Sequence, residues 1–394
     1  MFRKILIVLA ILLLLGIGYV TQILPGKFEA ETNVVTGEKL PEISAEAKAL
    51  HDSLFIADLH GDTLLWKRSM LQEADRGHID LPRMHTGNMA LQVFSSVTKT
   101  PKGQNYDSNP SDTDNITLLT MAQLQPIRTW TSLVERSLYH AEKLQDAVNA
   151  SKGEMVFIRT PADLEGLIGR RTIKGKGIGV LFSAEGLHNL EGRSENLDRL
   201  YDAGMRMAGI THFFDNELGG SMHGEEKGAL TPFGREIIRK MEAKGIIVDI
   251  AHSSHASVKE ILAMATRPVV SSHGGVQATC DVNRNLTDEE IRGVAATGGV
   301  IGIGYWDGAI CDTSPAAIAA AIKHVRDLVG IDHVALGSDF DGAVTTGFDV
   351  SQVAQVTQAL LGAGFTAEEI RAVMGANTVR VLMQGIAPLP STHL

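Results

Sequence analysis

Six side chains able to bind a cation or carry a proton close six separate apolar runs of this chain. His60 closes the run 54–60, Glu185 the run 177–185, His212 the run 205–212, His252 the run 246–252, His273 the run 268–273 and Asp339 the run 333–339. Each run is short and rich in β-branched residues, the pattern of a buried strand. A side chain at the C-terminal end of a barrel strand points into the mouth, where such folds do their chemistry. His60 and Asp62 stand at i and i+2, so on an extended segment they face the same side and can grip one cation. The two oxygens of Glu185 can bridge two cations about 3.5–4 Å apart. The arrangement suggests one cation on His60, Asp62 and Glu185 and another on Glu185, His252 and His273, with a bridging hydroxide completing both shells. Asp339 would face the cations across the mouth and could pass a proton from that water to a leaving amine. His212, which neither shell needs, could donate a hydrogen bond to a developing oxyanion. Arg284 could clamp a carboxylate through two parallel hydrogen bonds, although spacing alone makes an ordinary surface ion pair the plainer reading. Asp341 reads as a turn or helix-capping residue. The remaining histidines, at 51, 78, 85, 140, 188, 223, 255, 324, 333 and 393, lie off the run ends and read as solvated or structural.

Holding these residues in one place requires a repeating scaffold. Two more apolar runs, 90–95 and 299–305, bring the strand candidates to eight, and helical patterns recur between them, as at 195–203, 231–244, 257–265, 288–297, 315–329 and 367–374. Strand alternating with helix implies parallel strands joined by right-handed crossovers, and eight repeats close an α/β fold of the (β/α)8 TIM-barrel type. The connection over 97–127 is long and full of turn residues; it reads either as a lid or substrate wall or as a surface excursion. Four regions are expected: an N-terminal anchor at 1–24, an aperiodic linker at 25–48, the barrel at 49–387 and a short disordered tail at 388–394.

Composition narrows the class. The chain has 394 residues, 44% hydrophobic and 21% charged, with a net charge of −10. With no basic stretch, nucleic acid is not an expected partner. Arg3 and Lys4 precede an apolar segment, residues 5–24, broken only by Thr21 and Gln22. About 20 apolar residues span a bilayer, and the basic flank places the N-terminus in the cytoplasm and the rest of the chain across the membrane. No small-residue cleavage site or lipobox cysteine follows, which favours an anchor over a cleaved signal. Two cysteines, Cys280 and Cys311, form neither a disulfide framework nor a zinc ribbon, and two free thiols are expected.

Taken in order, eight short motifs resemble the membrane (renal) dipeptidases, a zinc-dependent family within the amidohydrolase-like barrels. They are Asp58-Leu59-His60-Gly61-Asp62, His78-Ile79-Asp80-Leu81-Pro82-Arg83, Ala184-Glu185-Gly186, Gly204-Met205-Arg206 with Thr211-His212, Asp249-Ile250-Ala251-His252, Ser271-Ser272-His273, Asn283-Arg284-Asn285-Leu286 and Gly337-Ser338-Asp339-Phe340-Asp341-Gly342. The resemblance implies two zinc ions, one on His60 and Asp62, the other on His252 and His273, bridged by Glu185. It implies that His212 polarises the scissile carbonyl, that Arg284 binds the substrate's terminal carboxylate and that Asp339 is the proton shuttle. The family hydrolyses dipeptides and tolerates a D-residue at the C-terminal position, and some members open β-lactams. Gly61 replaces the family's usual Asn, and Phe213-Phe214-Asp215-Asn216 stands where many members have smaller polar residues, which bears on specificity rather than on metal chemistry. The reading is a di-zinc dipeptidase of a bacterial inner membrane, facing the periplasm or exported after signal cleavage. Its expected partners are dipeptides, the membrane through residues 5–24, and a second copy in a homodimer. The rivals are another binuclear hydrolase, acting on N-acyl amino acids, lactones or phosphoesters, and a non-catalytic binding protein.

Overall fold

The computed structural model describes residues 2–387. The expected tail at 388–394, with His393, lies outside the described residues. The strands are β1 (Val34–Val35), β2 (Ile56–Asp58), β3 (Met89–Val97), β4 (Met155–Phe157), β5 (Ile178–Glu185), β6 (Met205–Gly209), β7 (Ile247–Asp249), β8 (Val270–Ser271), β9 (Val300–Ile303), β10 (Val334–Leu336) and β11 (Thr345–Thr346). All pairings between them are parallel, in the order β3-β2-β10-β9-β8-β7-β6-β5, and β3 pairs with β5 to close an eight-stranded barrel. Successive residues alternate between an inner cluster, such as Ala57, Leu91, Val93, Leu181 and Met207, and an outer one, such as Ile56, Phe94, Val180, Phe182 and Ala208, that packs beneath the helices. That is the period of two expected of strands with both faces buried.

The eight expected runs all contain barrel strands, but most of the strands stop short of the site residues. Only Glu185 is still within a strand; His60, His212, His252, His273 and Asp339 follow the ends of β2, β6, β7, β8 and β10 by two or three residues. His252 and Asp339 have φ of 65° and 61°, left-handed values at which no strand continues. β4 was not anticipated. It pairs with the first half of β5 (Met155↔Ile178 to Phe157↔Val180), and β6 takes over on that side from Phe182. A three-residue strand carries too little alternation to stand out in a sequence.

Residues 25–48 are not the irregular linker expected. One helix runs from Phe2 to Thr32, β1 then pairs with β11 beside the barrel mouth, and helix Ala45–Asp52 follows, capped by Ser44. Glu29 binds the end of the long helix to the barrel: its side chain is 1% exposed and accepts from Arg68 Nε at 2.5 Å and Arg76 Nε at 2.9 Å. Arg68 also pairs with Asp341, and Asn33 Oδ1 accepts from the Ala343 amide at 2.8 Å. These partners lie far along the chain from Glu29, so no local pattern announces them.

The expectation of free thiols is overturned. Cys280 and Cys311 form a disulfide, with Cα atoms 5.4 Å apart. They sit in the loops that follow the adjacent strands β8 and β9, a proximity that their sequence separation of 31 conceals.

Removing one partner of a buried ion pair leaves the other charge uncompensated, at a cost of about 3 kcal/mol. Glu29→Ala should therefore lower the unfolding free energy of the detergent-solubilised chain by about that amount, read from the shift of its urea transition. A chain beginning at Lys27 keeps Glu29 and should lose less stability than one beginning after Asn33.

Candidate active site

Glu185 lies at the centre of a buried cluster. His252 Nε2 and His273 Nε2 are 3.0 and 3.2 Å from its Oε1 and 3.0 Å from each other. His60 Nε2 is 3.6 Å from the same oxygen, 3.4 Å from Asp62 Oδ2 and 3.8 Å from Asp339 Oδ1. His212 Nε2 is 3.6 Å from Glu185 Oε2. The fold thus gathers all seven of these residues, drawn from six βα junctions. Three overlapping sets have ligand atoms within 4.8 Å of one another: His60, Glu185 and His273; Glu185, His212 and His252; His60, Asp62 and Asp339. Asp339 and His212, assigned from the sequence to proton transfer and carbonyl activation, lie as near the cluster's centre as the expected ligands do.

Two carboxylates that the sequence reading left without a role place these groups. Asp58, the last residue of β2, accepts from the His60 amide at 3.0 Å and, across the β2–β10 pair, from the Ser338 amide at 3.1 Å. Asp249, the last residue of β7, accepts from the Ala251 amide at 3.0 Å and, across the β7–β8 pair, from the Ser272 amide at 2.9 Å. Each satisfies amides freed where a ladder ends, and between them they set His60 and Asp339, then His252 and His273. Ser272 Oγ lies 2.8 Å from His273 Nδ1 and orients that ring. Ser254 caps helix His255–Met264 just beyond His252 and fixes where the chain turns away. The left-handed backbone at His252 and Asp339 is the kind of strain that active sites retain.

Burial dominates the electrostatics. It pushes the Glu185 carboxyl well above its ordinary range, with Asp62 adding to the effect. It pushes Asp339 up to about 8, against the pull of His60. It holds His252 and His273 well below the ordinary imidazole value and lowers His212 to about 3. For His60 burial acts downward too, but Asp62 and Glu185 outweigh it and raise the group to about 10. Neutral imidazoles at 252 and 273 keep a lone pair for a cation, whereas His60 must release its proton to bind one.

This donor set fits divalent metal. Imidazole nitrogens and carboxylate oxygens are ordinary ligands of zinc and related ions, and Asp62 Oδ1 has no hydrogen-bond partner in the protein. His60, Asp62, Glu185, His212, His252, His273 and Asp339 supply the donor atoms of these sets and could hold such ions.

Arg284 is no surface ion pair. It is 2% exposed, its Nη2 donates to the His273 carbonyl at 2.9 Å and lies 3.5 Å from His252 Nε2, and its Nε has no partner. It lines a cavity of about 250 Å³ together with Asp62, Glu185, His212, His252 and Asp339. The 97–127 connection is more than a surface excursion: it forms one wall of this cavity through Thr100, Gln104, Tyr106, Asn115, Ile116 and Leu119. Tyr106 and Trp306, which the sequence reading passed over, close the wall beside Arg284: Trp306 Nε1 donates to Tyr106 Oη at 2.9 Å, and the guanidinium lies over the indole at 5.6 Å. No metal-like spacing marks them; their place in two mouth loops is the only signal. Gly61 also has a local reason, since a Cβ there would lie 2.9 Å from Ile79 Cδ1 and 3.2 Å from the Phe340 carbonyl oxygen.

A closed (β/α)8 barrel with buried His and carboxylate ligands at its mouth defines a metal-dependent hydrolase of the TIM-barrel class. The chain matches the membrane dipeptidase family (peptidase family M19) over residues 44–387, and it belongs to that family of metallopeptidases. It is 29% identical over 349 residues to the dipeptidase AclJ of Aspergillus oryzae, covering 83% of this chain and 77% of that one. It is 29% identical over 313 residues to the dipeptidase VerJ of Clonostachys rogersoniana, covering 77% and 75%. Its fold is shared by a Rhodobacter sphaeroides metallopeptidase liganded with a phosphinate mimic of L-Ala-D-Ala (TM-score 0.69, 20% identity, 84% of this chain and 99% of that one). It is shared also by the probable dipeptidase PvdM of Pseudomonas aeruginosa (TM-score 0.71, 18% identity, 86% and 98%).

Two variants separate ligand from support. His252→Ala should lower bound metal, measured by mass spectrometry of the purified chain, because a shell loses a donor. Asp249→Ala touches no expected ligand atom yet should weaken metal affinity by about 10–100-fold, the usual effect of losing an outer support.

Proposed function

We propose that this chain is a membrane-anchored di-zinc dipeptidase, with His60 and Asp62 on one ion, His252 and His273 on the other, and Glu185 bridging them. The observation that carries the reading is Arg284, a buried guanidinium with an unpartnered Nε on the wall of the cavity that holds the ligand cluster. Zinc bound there would lower the pKa of a shared water and polarise the scissile carbonyl. Arg284 pairs with the free α-carboxylate of the substrate and so fixes which bond lies over the cluster. His212, held neutral by burial, donates to the carbonyl oxygen as charge develops on it. Asp339, whose carboxyl is pushed up to about 8, accepts a proton from the attacking water and delivers it to the departing amine. The cavity suits a molecule of dipeptide size, below the roughly 300–1,000 Å³ of pockets for larger ligands. Tolerance of a C-terminal D-residue is supported by the L-Ala-D-Ala mimic bound to the Rhodobacter relative of like fold. The apolar helix after Arg3 and Lys4 supports a cytoplasmic N-terminus and a catalytic domain facing the periplasm.

Asp339→Asn should retain near-normal metal while kcat falls by about 10²–10⁴, the usual contribution of a general acid–base. Metal loss equal to that in His252→Ala would instead move Asp339 into a shell.

Steady-state kinetics on one dipeptide and its C-terminal amide test the clamp. The amide brings no anion to Arg284, whose charge stays desolvated and unpaired, and should fall by about 100-fold or more in kcat/KM. Arg284→Ala should narrow the gap by impairing the free dipeptide, and Arg284→Lys should restore part of it, since lysine forms no fork. Equal rates on acid and amide would favour a lactone or ester substrate.

A further inference from the structure

The helix that leaves the anchor does not hang free of the barrel. Residues Tyr19–Ile23 and Leu24–Thr32 pack against helix Ile116–Ala122, which belongs to the substrate wall. Lys67 Nζ donates to the Thr21 carbonyl at 3.0 Å, and the Phe28 ring lies 6.0 Å from Trp66, with both side chains lining the catalytic cavity. A helix rises about 1.5 Å per residue, so one that enters hydrocarbon at Ile5 leaves a core of about 30 Å near Leu24. The barrel therefore meets the helix within the stretch that approaches the bilayer surface.

Exposed apolar side chains gather on the same side. Beyond the anchor, the large hydrophobic residues exposed among the described residues are Phe28, Val35, Tyr106, Leu118, Leu124, Ile127 and Ile173. All but Ile173 belong to the helix end or to segments at the mouth, where β1 meets β11 and where the wall after β3 lies. Leu118, Leu124 and Ile127 are 71%, 58% and 76% exposed and follow one another along the wall segment that touches the anchor. Leu124 is held at φ 56°, which turns the chain between the two short helices that carry the other two. Water gains nothing from such a patch, and apolar side chains beside a membrane helix seat in the headgroup and acyl boundary.

We infer that the rim of the barrel mouth docks on the bilayer that the anchor spans, with Leu118, Leu124 and Ile127 inserted at its surface. The cavity then opens within the headgroup layer rather than into bulk water. Its apolar wall, Leu65, Trp66, Ile116 and Leu119, runs from the metal ligands towards that layer. The inference rests on the anchor reading above.

The test uses the full chain in vesicles of phosphatidylethanolamine and phosphatidylglycerol, with a nitroxide-labelled lipid as quencher. Leu118→Cys, Ile127→Cys, Ile173→Cys and Leu12→Cys each receive a bimane label, and the native cysteines are occupied in their disulfide. Labels at 12, 118 and 127 should be quenched by about half or more, and the label at 173, near the far end of the barrel, should be unchanged. Quenching at 12 without quenching at 118 and 127 overturns the docking and leaves the anchor standing. Loss of residue 12 from the mature chain overturns both.

Discussion

Asp58 and Asp249 convert strand pairing into the geometry of the site. A parallel ladder ends by leaving amides without partners, and here each last residue supplies a carboxylate to take two of them, one on its own strand and one on its neighbour. The amide taken from the neighbour belongs each time to a serine followed directly by a member of the buried cluster, Ser338 before Asp339 and Ser272 before His273. Burial pushes Asp58 upward while the amides of His60 and Ser338 pull it back. Four side chains are thereby set in two pairs before any of them meets Glu185.

A second hub connects the mouth to the N-terminal helix. Asp341, which reads as a turn residue, is fully buried and accepts from Thr63 Oγ1 at 2.5 Å, the His78 amide at 2.6 Å and Arg68. Burial raises its carboxyl, but Arg68, His78 and these hydrogen bonds together hold it below the usual carboxylate range. Its own carbonyl accepts from Trp66 Nε1 at 2.7 Å. Since Arg68 also holds Glu29, the loop that carries Asp339 and the end of the long helix share one guanidinium. The 97–127 wall completes the same side of the barrel, so the long helix, the Asp339 loop and the cavity form one packed unit.

The barrel and its ligand cluster were legible because both leave periodic marks. Runs of β-branched residues betray buried strands, and a His or acid closing several of them implies a shared mouth. What stayed hidden depends on contacts without period. β4 is three residues long. Glu29 meets partners dozens of positions away. Arg284 appears ordinary in sequence because its burial comes from Trp306 and Tyr106, on two other loops. Cys280 and Cys311 meet only because β8 and β9 are neighbours. The expected strand ends overshot because left-handed turns at His252 and Asp339 carry no glycine to announce them.

The disulfide ties the loop of Arg284 to the loop of Trp306, next to the cavity rather than in the scaffold. Disulfides form and persist in oxidising compartments and are rare where thiols are kept reduced. The bond joins two mouth loops and no two barrel strands, so it bears on the wall beside Arg284 rather than on the strand ladder. A crosslink so placed makes the shape of that wall, and not the barrel's closure, the property that depends on the redox state of the surroundings.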